Sequence, residues 1–380
     1  MFYRILVLLC LIPLGGFAQN SAALTMESAM LLSNVNVVDV EQNLILPDMD
    51  ILVQNGKIQR ITPSGNLALP GLQVIDCSGR YAVPGLFECH AHMMAMSLPD
   101  EPEQAEVLKE FLNLGITQVR DVGGPLDMLK ALTERIAADP GSGPRIFYSG
   151  PMLERSPMMW ADRNEQYPGF TVGIDTQADV DSMLIRLKQD GASLIKTFNR
   201  FDPEIYAYLV QKAREIDLPI THDPGTPLFN RIPVDKAMDL GITCFEHGKA
   251  LWPCILRDDL QAEHDSILAI NPPDQEKAQK LAMKIFMSGT KSISPEKLDL
   301  LAQRMASEGS FYCPTIKVFQ LMGEQEGENQ FLVKTLEEMS KYITRALIKH
   351  GVRMLAGVDN CFPLLHDELE NLSELGLDEM

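Results

Sequence analysis

From Tyr81 onward the chain repeats one unit: a short apolar run, a turn, then an amphipathic stretch at helical spacing. Eight such runs fall at 82–89, 117–120, 145–149, 194–197, 219–221, 243–246, 311–314 and 353–357. Helical patterns separate them at 104–114, 126–138, 177–190, 203–216 and 331–350, and another follows at 364–375. Strands buried on both faces read as continuous apolar runs, and parallel neighbours need a helical crossover between them. The alternation predicts an α/β fold, a (β/α)8 TIM-type barrel, with 81–380 as the barrel domain. The stretch 250–309 predicts a helical insertion before the seventh strand. An open doubly wound sheet is the competing architecture. It would want a G-x-G-x-x-G turn after its first strand, and Gly123-Gly124-Pro125 lacks that spacing.

Residues 19–80 follow another grammar. The β-rich runs 31–40, 50–54 and 57–61, with Asn55-Gly56 between the last two, predict strands and a two-residue hairpin. A further strand is expected at 74–77. Together they predict a small, incomplete N-terminal β-sandwich. Residues 1–18 read as a secretory signal: Arg4, an apolar core over 5–14, and Gly16-Phe17-Ala18 at the cleavage positions. Export to the periplasm or beyond is the expectation. The apolar stretch is too short for a comfortable membrane span, so no stable insertion is expected. A net charge of −19 argues against a nucleic-acid partner, because phosphate binding rests on Lys and Arg. A small-molecule substrate is the expected partner, and a homo-oligomer is allowed. The cysteines beyond the signal are scattered without a C-x-x-C pair and read as buried free thiols.

In a barrel, functional groups sit at the C-terminal ends of strands. The first run closes on His90-Ala91-His92, and side chains at i and i+2 of a strand leave on the same face. The fourth carries Lys196. The fifth ends Thr221-His222-Asp223, the sixth Glu246-His247-Gly248, and the eighth leads into Asp359. Any one histidine here could be an ordinary buried histidine. Four on one rim with a lysine and an aspartate are a poor match to random scatter. Neutral imidazoles and a carboxylate suit Zn²⁺ or a similar ion. An ammonium has no lone pair to offer a metal. Burial favours the neutral amine, which can take up carbon dioxide as a carbamate and bridge two metals. Asp359 can act as ligand and as proton acceptor.

Pro84-Gly-Leu-Phe-Glu-Cys-His-Ala-His92, followed by Lys196, His222, His247 and Asp359, resembles the metal-dependent amidohydrolase superfamily. Arg120-Asp-Val-Gly-Gly124 is similar to the second strand of its prolidase-like and imidazolonepropionase-like branch. The resemblance covers residues 31 to about 375. It implies two divalent metal ions, Zn²⁺ foremost. His90, His92 and Asp359 would hold the more buried ion, an N-carboxylated Lys196 would bridge, and His222 and His247 would hold the second. It places 31–80 in a flanking β-sandwich. It implies hydrolysis of amide-type C–N bonds, in dipeptides or N-acyl amino acids, by a hydroxide held between the metals, with Asp359 as the catalytic proton carrier. A cyclic-amide or ester hydrolase on the same site, and a non-catalytic homologue or fragment, are the alternatives. Lys196 argues against a single-metal deaminase.

Two departures accompany the resemblance. The chain stops at Met380, after one helix beyond the eighth strand, where many relatives return to complete the sandwich. The segments after strands three and four read Pro151-Met-Leu-Glu-Arg-Ser-Pro-Met-Met-Trp160 and Phe198-Asn-Arg200 in place of Gly-rich sequences. On the substrate side, Arg155 and Arg200 could grip a carboxylate, Trp160 and Tyr167 could line a pocket, and His366 could face the mouth. Surface or packing roles compete for each.

Overall fold

The computed structural model describes residues 29–67, 71–94, 103–225, 227–270, 274–324, 330–359 and 364–378. The expected signal over 1–18 lies outside them. The chain divides into two compact units at Pro84 and Gly85, where the sequence pattern put the boundary at 80/81.

The first unit holds β1 (Ala29–Asp39), β2 (Leu44–Gln54), β3 (Lys57–Pro63), β4 (Gln73–Asp76) and β5 (Tyr81–Ala82). They form one sheet in the order β3-β2-β1-β4, with β5 also on β1. Asn55 and Gly56 join β2 to β3 with φ of 53° and 70°, the left-handed pair that a tight hairpin needs. Val35, Ile51 and Cys77 make a small buried core. The second layer of a sandwich is not among the described residues.

The second unit holds β6 (Leu86–Ala91), β7 (Ile116–Asp121), β8 (Arg145–Tyr148), β9 (Met152–Glu154), β10 (Thr171–Gly173), β11 (Ile195–Thr197), β12 (Ile220–His222), β13 (Cys244–Glu246), β14 (Phe311–Cys313) and β15 (Arg353–Met354). All pair in parallel, in the orders β6-β7-β8 and β10-β9-β11-β12-β13-β14-β15. Two seams carry the order round. The amide of Ser193 donates to Tyr148 across 2.8 Å, and that of Cys89 to Ala356 across 2.9 Å. Ala91 then bridges Asp359 in parallel. This is an α/β fold whose parallel strands return to the first, consistent with a TIM-type barrel. Strands β9 and β10 were not expected, and the eighth expected run shrinks to two residues.

The helices form where the pattern predicts them, each with a buried stripe, and two of them open on a side-chain cap. Gln177–Gln189 opens on a capping box between Thr176 and Asp179. Pro203–Glu215 opens on Asp202, which accepts from the Glu204 amide, with Pro203 in the first turn. Leu108, Phe111, Leu129, Leu187 and Leu209 pack on the strands in one continuous core. The insertion is helical as expected, at Trp252–Ile255, Asp258–Leu268, Gln275–Ser288 and Pro295–Ser307. Five cysteines among the described residues are free thiols. No helix among the described residues is long and apolar enough to cross a membrane.

Candidate active site

The hydrogen-bond register decides which side chains face the centre. β11 and β12 pair Lys196 with Thr221 and Thr197 with His222. β12 and β13 pair Thr221 with Cys244 and His222 with Phe245. Paired residues share a face, and faces alternate along a strand. Lys196, Thr221, Cys244 and Glu246 therefore share the inner face, and Asp223 continues it.

His222, expected among the ligands, falls on the other face. Its ring packs against Tyr206, of the helix Pro203–Glu215, with centroids 5.3 Å apart. Its Nε2 donates to the Ile232 carbonyl across 3.0 Å. Nδ1 is then the acceptor, with the Thr197 and Tyr206 hydroxyls at 2.9 and 3.0 Å. Both ring nitrogens are engaged by the protein. Burial, the dominant influence, holds this ring down at about 4, so it stays neutral.

His90, His92 and Asp359 do come together: a donor atom from each lies within 4.8 Å of the other two. Their neighbours fix which nitrogen faces in. His90 Nδ1 lies 2.7 Å from Glu246 Oε2, and a carboxylate only accepts, so the proton sits on Nδ1. Nε2 keeps a lone pair, buried and without a hydrogen-bond partner. His92 Nδ1 donates to the Gly123 carbonyl across 2.8 Å, and its Nε2 faces Asp359 Oδ1 at 3.4 Å. In the neutral ring that opposes two lone pairs, which a cation between them would relieve. The donor set and its orientation fit a divalent metal such as Zn²⁺.

Opposite them stand Lys196, Asp223 and His247. Asp223 Oδ2 is 3.2 Å from Lys196 Nζ and 3.4 Å from His247 Nε2. Strand alternation would point His247 outward with Phe245. A left-handed backbone, φ 62°, turns it back, and Asp359 has the same conformation at φ 60°. Such geometry is uncommon outside glycine and gathers at functional sites. His247 Nδ1 lies 2.7 Å from the Thr315 hydroxyl.

Electrostatics follow from burial and pairing. Burial pulls His247 down to about 3 and also lowers His90, leaving neutral imidazoles. Burial opposes the charge of Asp223, but Lys196 beside it outweighs burial and holds the carboxyl below its usual range. The Asp359 carboxyl is likewise held below its usual range although burial opposes its charge.

Two supporting residues, Glu246 and Asp121, receive no site role from the sequence. Glu246, fully buried, accepts from His90, from Arg120 Nη2 at 2.7 Å and from the Thr221 hydroxyl. Burial would raise its carboxyl, yet Arg120 and His90 hold it well below the carboxylate range. Asp121 accepts from the Met93 and Gly123 amides across 2.6 and 3.1 Å, fixing the turn beyond His92. Arg120-Asp-Val-Gly-Gly124 thus holds both histidines in place. Gly123 is required there, since a Cβ would lie 2.9 Å from the His92 ring and 2.7 Å from Met152 Cγ. The signal for them lies in that motif, which the sequence offers as a resemblance.

The substrate-side candidates scatter. Arg200 donates to the Pro157 carbonyl, and Arg155 is half-buried with its amide on Asn199. Trp160 and Tyr167 pack on an apolar cluster of Met152, Phe170 and Phe198, and the Phe170 ring is 6.0 Å from that of His92. His366 is exposed on the helix Leu365–Glu374. A separate cavity of about 270 Å³ is lined by Phe229, Trp252, Phe286 and Leu336, with Gly225 and Lys249 just beyond Asp223 and His247.

A parallel α/β sheet thus gathers histidines and carboxylates at its strand ends, a donor set that could hold a metal ion. The comparisons with known proteins agree with the family read from the motifs. No family model matches the chain. Dihydroorotase of Carboxydothermus hydrogenoformans is 22% identical over 376 residues, 92% of this chain and 81% of that protein. An imidazolonepropionase of Cereibacter sphaeroides is 27% identical over 111 residues, 29% of this chain and 27% of its own length. The structures of a prolidase complexed with N-methylphosphonate-L-proline and of A. niger ochratoxinase both match with TM-score 0.65, at 18% and 15% identity. Each covers 92% of this chain, and the matches span 83% and 80% of those proteins. The structural likenesses show the fold. The relatives by sequence, a dihydroorotase and an imidazolonepropionase, support a hydrolase of amide-type bonds.

Proposed function

We propose that the chain is a metal-dependent hydrolase that cleaves an amide-type C–N bond in a dipeptide or N-acyl amino acid. The observation that carries this is the triad His90, His92 and Asp359, whose imidazole protons are directed away from the centre by Glu246 and Gly123. These three would hold one ion, and Lys196, as its carbamate, would share a second with His247. When bound, such ions polarise a carbonyl and make water a nucleophile near neutral pH. Asp359, whose carboxyl stays below its usual range despite its burial, takes the water's proton on a carboxylate oxygen and returns it to the departing nitrogen. The products are a carboxylic acid and an amine. Lys196 and Asp223 on one side and the Phe170 cluster on the other leave a polar centre with an apolar wall. The cavity beside Lys249 would suit an apolar group next to a carboxylate.

The 22% match to a dihydroorotase over nearly the whole chain favours a second reading, a cyclic-amide hydrolase on the same residues. A library of dipeptides, N-acyl amino acids and cyclic amides, screened with zinc and bicarbonate, separates the two. Metal content below about one ion per chain, with no turnover on adding both, would sink the hydrolase reading altogether. Two further proposals travel with it. The sheet of the first unit is read as one layer of a sandwich, supported by exposed Ile58, Ile61 and Val74. Residues 1–18 are read as an export signal; N-terminal sequencing of protein from a periplasmic fraction should begin at Gln19.

A further inference from the structure

An apolar cavity of about 270 Å³ lies two residues along the chain from the metal centre. We propose that it is the specificity pocket for a large apolar side chain, and that Lys249 on its wall takes the carboxylate of the same amino acid; this rests on the hydrolase reading above. The substrate class is then an N-acyl amino acid or dipeptide whose C-terminal residue carries a phenyl or branched aliphatic group. Continuity with the centre is the first support. Gly225 and Lys249 line the cavity, and each follows by two residues a group of the centre, Asp223 and His247. Two residues span at most about 7 Å. The wall is the second. Phe229 comes from the turn after strand five, Trp252 from the helix Trp252–Ile255, Phe286 from Gln275–Ser288 and Leu336 from Gln330–Lys349. Trp252 and Phe286 meet edge to face with centroids 5.6 Å apart, an arrangement that a further ring can extend. Unused donors are the third. Among the described residues Lys249 makes no hydrogen bond or ion pair, and the buried Trp252 indole N–H has no partner. Buried polar groups are nearly always satisfied, so two unused donors on lining residues point to a ligand that accepts.

Size decides how much of a substrate fits. A dry apolar cavity of about 150 Å³ takes a benzene, and sites for whole ligands start near about 300 Å³. The 270 Å³ here hold one phenyl or branched aliphatic group with its methylene, not a second residue. The carboxylate decides which residue that is. In an N-acyl amino acid or a dipeptide, the free α-carboxylate belongs to the residue whose nitrogen is released. Its carboxylate and side chain branch from one Cα. A basic group and an apolar cavity must therefore lie side by side, as Lys249 and the ring-lined wall do. From the scissile carbonyl, the bonds through nitrogen and Cα to either branch measure about 4.3 Å, the scale of the step from the centre to the cavity. Glycine in this position would leave the cavity unfilled, and a charged side chain would meet the apolar wall without a partner.

The test uses the zinc-loaded full chain and compares kcat/KM for N-acetyl-L-phenylalanine, its carboxamide and N-acetylglycine. Wild type should favour the phenylalanine acid at least ~10-fold over the glycine acid, and by a similar factor over the carboxamide. Ala282→Leu fills the cavity from the helix Gln275–Ser288 with a good helix former. It should collapse the side-chain preference and keep the preference for the acid. Lys249→Met should do the reverse, and Lys249→Arg should restore part of the loss. Binding is read separately with N-ethyl-L-phenylalanine, whose CH2 in place of the carbonyl cannot be hydrolysed. In Trp160→Phe, which leaves Trp252 as the one tryptophan, it should change the fluorescence saturably where N-ethylglycine does not. Equal kcat/KM for the two acids in wild type, or preferences that neither variant moves, overturns the inference and leaves the hydrolase standing. Turnover of cyclic amides alone overturns it as well. Saturable binding that Ala282→Leu abolishes, with no turnover of any compound, supports the pocket and sinks the hydrolase. Neither binding nor turnover sinks both.

Discussion

Glu246→Gln tests whether the centre is held by its supporting shell. The substitution keeps shape and changes one oxygen to an amino group. The remaining amide oxygen can still accept from Arg120 and Thr221. The amino group then meets His90 Nδ1–H, donor against donor, at a position now 2.7 Å apart. The ring escapes only by moving its proton to Nε2, which removes the lone pair that faces Asp359 and His92. Two costs follow. Arg120, its side chain 12% exposed, loses its carboxylate partner. Breaking a buried pair from one side costs about 3–5 kcal/mol, and the low end applies because the amide oxygen still receives Arg120. Losing the orienting partner of a ligand histidine costs roughly 10–100-fold in metal affinity.

Urea unfolding of the metal-free chain should therefore show a loss of about 3 kcal/mol. Chelator competition should show the fall in affinity. A companion double variant, Arg120→Met with Glu246→Leu, should regain much of the stability but none of the metal affinity, since the penalty comes from an uncompensated charge. A Glu246→Gln protein within about 1 kcal/mol of wild type and with unchanged metal affinity would refute the reasoning. So would a double variant less stable than the single one.

Three other outcomes are expected. Glu368 accepts from the Ile316 and Lys317 amides at the start of the helix Ile316–Glu324, and burial pushes its carboxyl up to about 7. The folded state keeps this proton after the unfolded state has lost it, so stability contributed by Glu368 falls as pH rises from the ordinary glutamate value to 7. Relative to Glu368→Gln, wild type should lose about 1.4 kcal/mol per pH unit in that window, read from urea midpoints at pH 5, 6 and 7; a constant gap would count against it. Gly357→Ala would place a Cβ 2.7 Å from the His90 backbone nitrogen and 2.9 Å from Cys313 Sγ, costing about 1–3 kcal/mol and lowering metal content together; normal metal content at reduced stability would separate the two effects. Phe111→Ala, at a fully buried ring, should cost about 3–5 kcal/mol in thermal or urea unfolding and leave metal content untouched.

The strand ends were legible because apolar runs and helical stripes have different periods, and turn residues bound them. That is enough to put His90, Lys196, His247 and Asp359 on one rim. It is not enough to say which way a side chain faces. A strand buried on both faces is apolar throughout, so Pro219-Ile-Thr-His-Asp223 carries no alternation that distinguishes His222 from Asp223. The resemblance implies a ligand role for His222, whereas the register sets Thr221 beside Lys196 and gives His222 partners on the outer face in Tyr206 and Ile232. The same logic would have misplaced His247. It follows Glu246 and by alternation belongs outside, yet one left-handed residue brings it in. Parity therefore fails where the backbone leaves the strand and holds where it stays within it. Glu246 was hidden for a related reason, since its role depends on Arg120 and His90, far away in the chain. A motif reading reaches the atoms a metal can use. Which of them meet is set by hydrogen bonds between strands, and His222 is the residue at which those two sources of information disagree.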